Sequence, residues 1–270
     1  MSSERSRPLP AVTEGPVLLG VIHLRPLPAS PGYDRAGMSG IISAAKADAE
    51  TLLEAGFDGY VIENFGDVPF FPTTVPPATV SAMTRVACEL PTAESIVIVN
   101  VLRNDPLAAL SIAAAAGLSG IRVNVHTSAM LCDQGIIEGR AAETLRLRQE
   151  LEPGLAILAD VDVKHAVQLG KPRELSELAK ETALRGLADG LIVTGRATGS
   201  AVNPAELCAV RKAVPTHPVL IGSGADESNI AGLLENADGA IVGTALKSEG
   251  DVSREIDPAR ARAWIQAARG

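Results

Sequence analysis

The chain has 270 residues, 46% of them hydrophobic, and a formal net charge of −8 at pH 7. This length and composition suffice for one large hydrophobic core or two small ones. The acidic balance excludes the basic face that non-specific nucleic-acid binding requires, and it argues against simple attraction to anionic lipid. Anionic small molecules remain candidate ligands, because they need only a local pocket of N–H groups with one Lys or Arg.

Cysteine usage and the N-terminal segment bear on the cellular compartment. Cys88, Cys132 and Cys208 are far apart and form no CxxC pair, so neither a disulfide framework nor a structural zinc site is predicted. Residues 1–14 contain no apolar segment of signal-peptide length, and no stretch approaches the roughly 20 apolar residues of a membrane span. We therefore expect a cytoplasmic protein with a flexible N-terminus over residues 1–14 and a single domain over residues 15–270.

Short apolar runs alternate with longer amphipathic segments along the chain. The apolar runs predict β-strands at 17–23, 58–64, 95–101, 120–126, 155–163, 189–195, 217–223 and 238–244. Helix-like segments lie between them, for example at 40–56, 105–117, 139–151 and 172–186, and Asn203 and Asp226 are predicted N-caps of later helices. Eight buried strands, each followed by a helix, predict an α/β fold of the (β/α)8 TIM-barrel type. A doubly wound open sheet is the alternative, but no Gly-rich turn follows the first strand.

Polar residues stand at the carboxyl ends of the predicted strands, where the chemistry of such barrels is located. Side chains alternate along a strand, so the polar sets at 122, 124 and 126 and at 160, 162 and 164 face the barrel axis. A buried ion pair between Arg122 and Asp160 is the structural alternative for the deeper of these residues. The residues predicted at the mouth are His23, Glu63, Asn64, Asn100, Arg122, Asn124, His126, Asp160, Asp162, Lys164 and Thr194.

Two glycine-containing turns predict a phosphate site. Gly222, Ser223 and Gly224 follow the seventh strand, and Gly243 and Thr244 follow the eighth. Loops after strands 7 and 8 commonly bind phosphate in this fold through backbone N–H groups, and glycine lets the backbone approach the phosphate oxygens. The alternative is that both are merely tight turns built from small residues.

Two long loops, 24–37 and 65–79, cover the same end of the predicted barrel. The second loop contains three of the four phenylalanines of the chain, Phe65, Phe70 and Phe71, and several prolines. An aromatic, proline-stiffened loop at this position is interpreted either as a lid or as a subunit contact.

Several of these segments carry a family resemblance. The stretches GVIHLRPLPASPGY, GFDGYVIENFGDVPF, ADVDVKHA, VTGRATG and GSGADESNIAGLLENADGAIVGTALK resemble, in order, the BtpA/SgcQ family from about Gly20 to Lys247. Ala29 stands where the family often has glycine. The resemblance implies a (β/α)8 barrel of the ribulose-phosphate-binding class, with one member linked to photosystem I biogenesis and another encoded in a sugar-metabolism gene cluster. Asp162-Val-Lys164 also resembles the DxK element of phosphate-binding decarboxylase barrels, although Val167 replaces the last acidic residue of that pattern.

These features favour an enzyme of the isomerase, epimerase, aldolase or lyase type acting on a phosphorylated sugar or a related metabolite. Lys164 is the predicted general acid or oxyanion stabiliser, with Glu63, Asp160 or Asp162 as base and His23 and His126 as proton carriers. No cofactor is assigned; a divalent cation held by His23, Glu63, His126, Asp160 or Asp162 is the open alternative. The competing class is a non-catalytic assembly or regulatory factor of the photosystem I biogenesis type. We also expect a homo-oligomer as one candidate state, and no nucleic-acid partner.

Overall fold

Eight parallel strands close into a barrel in the computed structural model, which describes residues 15–35, 37–163, 166–195 and 202–270. In chain order the strands of this part are β1 (Val17–His23), β2 (Gly59–Glu63), β3 (Ile96–Asn100), β4 (Gly120–Val123), β5 (Ala129–Cys132), β6 (Gly135–Glu138), β7 (Ala156–Asp160), β8 (Ala166–Gln168), β9 (Gly190–Val193), β10 (Val219–Ile221) and β11 (Gly239–Val242). The barrel order is β1-β2-β3-β4-β7-β9-β10-β11, closing on β1. The predicted (β/α)8 barrel is therefore confirmed, with every predicted strand present. The predicted N-terminal segment 1–14 lies outside the described residues.

Helices surround the barrel. They are α1 (Met38–Ala55), α2 (Pro77–Glu89), α3 (Pro106–Ala116), α4 (Ala141–Leu151), α5 (Leu175–Lys180), α6 (Pro204–Ala213), α7 (Ile230–Leu234) and α8 (Pro258–Arg269). Of these, α3, α6 and α8 begin at side-chain caps, Asp105, Asn203 and Asp257. The Asn203 side chain accepts from the Ala205 N–H, which confirms that predicted N-cap of α6. The predicted N-cap at Asp226 is wrong, because α7 starts at Ile230 and Asp226 accepts from Ser228 in the preceding turn.

Alternation along the strands divides the core into two shells. Ile121 and Ala159 face outward and pack under the helices, whereas Leu19, Leu158 and similar residues fill the barrel interior. The strands approach closely at their starts: a Cβ at Gly59 would lie 1.9 Å from the carbonyl oxygen of Ile96. The apolar filling occupies the amino-terminal part of the barrel, so the polar residues that follow along the strands lie at its carboxyl-terminal mouth.

A separate three-stranded antiparallel sheet, β6-β5-β8, packs beside the barrel and was not predicted from the sequence. Met130 and Ile137 on one face join Val125 and Val163 in a small buried cluster. The strands have only three or four residues each, so their alternation is too short to stand out against the flanking loop. This sheet occupies the segment that follows β4, and it explains why β4 ends before the predicted residue 126.

A buried ion pair fixes the segment that follows β11. Lys247 is 1% exposed, and its Nζ lies 2.7 Å from Oδ2 of Asp48 on α1. The other oxygen of Asp48 accepts from the Ile256 N–H at 2.8 Å. Asp48 therefore anchors both ends of the segment 247–256 to α1. No helix in the described ranges is long and apolar enough to cross a membrane.

Asp48→Ala tests this anchor. The substitution leaves the Lys247 ammonium buried without its partner, so the free energy of unfolding should fall by about 3 to 5 kcal/mol in chemical denaturation. Glu50→Ala, at an exposed position of the same helix, should change it by no more than about 0.5 kcal/mol. The double variant Asp48→Leu/Lys247→Met should be more stable than Asp48→Ala, and equal losses for Asp48→Ala and Glu50→Ala would contradict the assignment.

Candidate functional site

Arg122 lies at the centre of an ion-pair network at the barrel mouth. Its Nε and Nη2 contact the two carboxylate oxygens of Asp160 at 3.1 and 3.2 Å, and its Nη1 contacts Oε1 of Glu63 at 3.2 Å. The three side chains come from β4, β7 and β2, and all three are buried. The predicted Arg122–Asp160 pair is thus present, and Glu63 joins it.

The carboxylates keep this guanidinium charged despite its burial. Burial lowers the pKa of Arg122, but the charges of Asp160 and Glu63 and the hydrogen bonds to Asp160 raise it by more, so the pKa lies above its usual value. Arg122 therefore acts as a fixed positive charge and not as a proton donor. Asp160 is fully engaged as its bidentate partner.

A chain of amides extends the network across the floor of the mouth. Asn124 Nδ2 donates to Oδ2 of Asp160 at 2.8 Å, and Asn100 Nδ2 donates to Oδ1 of Asn124 at 3.2 Å. Because a carboxylate only accepts hydrogen bonds, Asp160 fixes the orientation of both amides. Asn64 is placed differently: its Oδ1 accepts from the Leu102 N–H at 2.7 Å and its Nδ2 donates to Asp67, so it joins two loops.

The first of two adjacent cavities at the mouth, the glycine lobe, has a volume of about 310 Å³. Its lining contains all five residues predicted for phosphate, Gly222, Ser223, Gly224, Gly243 and Thr244, together with His23, Glu63, Arg122 and Arg260. The glycines leave room that side chains would fill: a Cβ at Gly243 would lie 2.8 Å from Cε1 of His23. Gly224 has a φ of 71°, a conformation that favours glycine.

Hydroxyl groups brace the turns that surround the glycine lobe. Ser223 Oγ accepts from the Gly195 N–H at 3.1 Å, which leaves the hydroxyl hydrogen able to donate. Thr194 Oγ1 donates to the backbone oxygen of Asp162 at 2.9 Å, so this predicted mouth residue connects two strand ends.

Arg260 is a cationic residue of the glycine lobe that was not predicted from the sequence. Its Nε donates to the Ala245 carbonyl at 3.0 Å, which holds the guanidinium beside the turn after β11. Arg260 lies on α8, one helical turn before the buried Trp264. That i, i+4 spacing from a large apolar residue is the signal that could have placed it on the inner face of the helix.

His23 and Glu63 lie where the two cavities meet. His23 Nε2 is 4.0 Å from Oε2 of Glu63, and both side chains are about nine-tenths buried. The Phe65 ring packs against His23 with a centroid distance of 4.7 Å. His23 and Glu63 both line the two cavities.

The second cavity, the aromatic lobe, has a volume of about 510 Å³ and shares His23, Glu63, Arg122, Thr244 and Gly250 with the glycine lobe. Phe65 and Phe70 of the loop 65–79 form one wall, and their centroids are 6.4 Å apart. Phe71 of the same loop is exposed and faces away from this lobe. The loop thus covers the mouth; whether it also moves as a lid or contacts another subunit stays a prediction.

Three described residues of the predicted catalytic set, Asp160, Asp162 and His126, are not among the residues that line either lobe. The expectation that His126 faces the barrel axis is wrong, because β4 ends at Val123 and His126 Nε2 lies 2.8 Å from the Gly186 carbonyl oxygen. Asp162 is half-buried beyond the end of β7. Lys164 lies outside the described residues. Among the described residues, no group of three or more His, Cys, Asp or Glu side chains is placed to hold a metal ion.

The buried His126 should make the free energy of unfolding depend on pH. Burial lowers its pKa, and the neutral ring donates from Nε2 because a carbonyl oxygen can only accept. Because the pKa of His126 is lower in the folded chain than in the unfolded chain, its contribution to stability is complete above the pKa in the unfolded chain, about 6.5. That contribution is lost as the pH falls through the pKa in the folded chain. The free energy of unfolding of His126→Gln should therefore decrease less than that of the native chain between about pH 7 and about pH 5, measured by denaturant titration. Parallel pH profiles in the two proteins would contradict this.

Solved structures with the same fold have low sequence identity to this chain. Phosphoribosyl anthranilate isomerase from Thermus thermophilus aligns with a TM-score of 0.55 at 12% identity, covering 93% of this chain and 98% of that one. The native KDPGal structure aligns with a TM-score of 0.54 at 16% identity, covering 93% and 94%. At these identities the structures establish the barrel fold alone.

Relatives in sequence are much closer. The photosystem I biogenesis protein BtpA of Synechocystis is 47% identical over 259 residues, which cover 94% of this chain and 88% of that protein. An uncharacterized protein of Pyrococcus furiosus is 44% identical over 250 residues, covering 92% and 93%. The model of the BtpA family matches residues 13–270. The chain therefore belongs to the BtpA family.

Proposed function

We propose that this chain is an enzyme that rearranges or cleaves a phosphorylated small molecule, a sugar phosphate or a related metabolite. The observation that carries the proposal is the composition of the glycine lobe. Both predicted phosphate turns, the cation Arg260 and the acid–base pair Glu63 and His23 line one cavity. The turns follow β10 and β11, the last two strands of the barrel, which is the common position of a phosphate site in this fold.

The phosphate would lie between the turn 222–224 and the turn 243–244. Backbone N–H groups of glycine-containing turns bind phosphate oxygens without interference from side chains, and the hydroxyls of Ser223 and Thr244 add donors. The guanidinium of Arg260 supplies a local positive charge for the phosphate, although the chain as a whole has a net charge of −8. The Thermus structure similar in fold is named as an isomerase of a phosphoribosyl compound, which supports a substrate of this class.

Glu63 is the proposed base, and His23 is the proposed proton carrier beside it. Their polar atoms are 4.0 Å apart at the junction of the two lobes, so a substrate carbon held there could lose a proton to one and gain it from the other. Arg122 adds a fixed positive charge that stabilises an enolate-like oxyanion. This arrangement supports isomerisation, epimerisation or aldol-type cleavage.

The proposal gives supporting roles to three further residues, Asp160, Asp162 and Lys164. Asp160 orients Arg122 and is thereby a positioning residue. Asp162 and Lys164 follow β7 in the sequence, and we retain Lys164, which lies outside the described residues, as the proposed general acid or oxyanion stabiliser. A divalent cation near His23 and Glu63 remains the alternative to this purely organic mechanism.

A non-catalytic assembly factor is the second candidate function. The Synechocystis relative, 47% identical, is named for photosystem I biogenesis, and this identity extends over 94% of the chain. In that case the barrel surface would bind a partner protein and the cavity would sense a ligand. Binding of a phosphorylated compound is expected for both functions, whereas turnover distinguishes them.

Arg260→Gln tests the phosphate site. Loss of one charge-assisted contact should weaken binding of ribose 5-phosphate about 10- to 100-fold in isothermal titration calorimetry. Arg262→Gln is the matched control, since Arg262 is an exposed arginine of the same helix and should leave affinity unchanged. Equal affinities of the two variants, or no binding of ribose 5-phosphate to the native protein, would contradict the assignment.

Glu63→Gln tests proton abstraction. With ribulose 5-phosphate in D₂O, the native protein should incorporate deuterium next to the carbonyl, detected by NMR, and the variant should do so about 10²- to 10⁴-fold more slowly. Glu54→Gln, at an exposed position of α1, should exchange at the native rate. Absence of exchange in the native protein with this and other ketose phosphates would favour the non-catalytic function.

A further inference from the structure

The aromatic lobe is the largest feature of the mouth that the proposed reaction leaves unused. A sugar phosphate with its phosphate between the glycine turns and its sugar at Glu63 and His23 fills the glycine lobe of about 310 Å³. The aromatic lobe of about 510 Å³ continues from those same two residues. Together the lobes are of the size that accommodates ligands larger than a sugar phosphate, within the usual range of about 300 to 1,000 Å³.

The wall of this lobe is aromatic. Starting from His23, the Phe65 ring follows at 4.7 Å and the Phe70 ring at 6.4 Å from Phe65, so rings line the wall from the junction outward. The Arg103 guanidinium lies 5.2 Å from the Phe70 centroid and holds that ring by a cation–π contact. Phe65 is 37% exposed and lines this lobe, so part of its side chain can contact a ligand there.

Polar side chains make up much of the remaining lining of this lobe in the part of the chain that the structure describes. The amides of Asn100 and Asn124 form part of the base, and their orientation is fixed through Asp160. Asp251 and Arg103 stand at the rim with opposite charges. A flat apolar group with polar edges matches such a lining, because its faces contact the phenylalanine rings and its edges meet the amides and the rim.

We propose that the aromatic lobe binds a planar aromatic ring that the substrate carries on its sugar, so that the substrate is a sugar phosphate bearing an aromatic ring, for which nucleoside 5′-monophosphates serve as binding probes. The proposal rests on the proposed function, because it takes the phosphate to lie in the glycine lobe. The order of groups then agrees between ligand and protein: phosphate at the glycine turns, sugar at Glu63 and His23, ring against Phe65 and Phe70. The reacting carbons would be those of the sugar, between the two binding ends, and the sugar would be one whose ring opens to a carbonyl, since an enolate forms only next to a carbonyl. Nucleotides, which have no such carbonyl, report on binding alone.

Calorimetric titrations of the native protein with ribose 5-phosphate, AMP, UMP and adenosine test this inference. AMP or UMP should bind at least about tenfold more tightly than ribose 5-phosphate, since one aromatic stack on a base contributes about 5- to 150-fold in affinity. Phe70→Ala should remove this advantage and leave the affinity for ribose 5-phosphate unchanged. Phe71→Ala is the matched control, because Phe71 is adjacent in sequence but lies outside the lobe, and it should retain the advantage.

The outcomes separate this inference from the proposed function. Binding of ribose 5-phosphate with no tighter binding of either nucleotide overturns the aromatic subsite alone. The same holds if Phe70→Ala and Phe71→Ala retain equal nucleotide affinities. Failure of every phosphorylated compound to bind overturns the proposed function and the inference with it. Loss of the nucleotide advantage in Phe70→Ala alone supports the inference.

Discussion

The candidate site depends on one buried guanidinium that is held between two carboxylates. Arg122 contacts Asp160 through two nitrogens and Glu63 through a third, so one side chain connects β2, β4 and β7 at the barrel mouth. Removing Arg122 would leave two buried carboxylates without a compensating charge, a strongly unfavourable situation in a low-dielectric interior. The network therefore has a narrow set of allowed geometries, and the groups attached to it are held rigidly.

The side chains that line the two cavities lie at the edge of this network. Asp160 is saturated by Arg122 and Asn124, whereas Glu63 makes one contact to Arg122 and directs its other oxygen toward His23 at 4.0 Å. Of the two carboxylates that contact Arg122, Glu63 is therefore the one with an oxygen on the cavity side. The two lobes meet beside it, so a ligand that enters either lobe reaches Glu63, His23 and Arg122.

The walls of the mouth come from parts of the chain that are distant in sequence. The loop 65–79 contributes the phenylalanines, the turns after β10 and β11 contribute the glycines, and α8 contributes Arg260. The buried Lys247–Asp48 pair anchors the segment that carries Gly250 and Asp251 against both lobes. The ion pair therefore holds to α1 a segment whose residues line the cavities.

The sequence by itself determined the barrel, because eight apolar runs of strand length separated by amphipathic segments allow few other packings. It also determined the glycine turns and the inward polar residues Glu63, Arg122 and Asp160, since alternation holds while a strand is regular. Alternation failed at His126 because β4 ends at Val123, and strand ends are set by the loops and the small sheet packed around them. The sequence also placed the phenylalanine-rich loop 65–79 over the mouth. Only the tertiary structure decided that Arg260 lines the site and that Phe65 and Phe70, but not Phe71, line the aromatic lobe, because contacts between the last helix, a long loop and the barrel depend on packing over distances that no local pattern encodes.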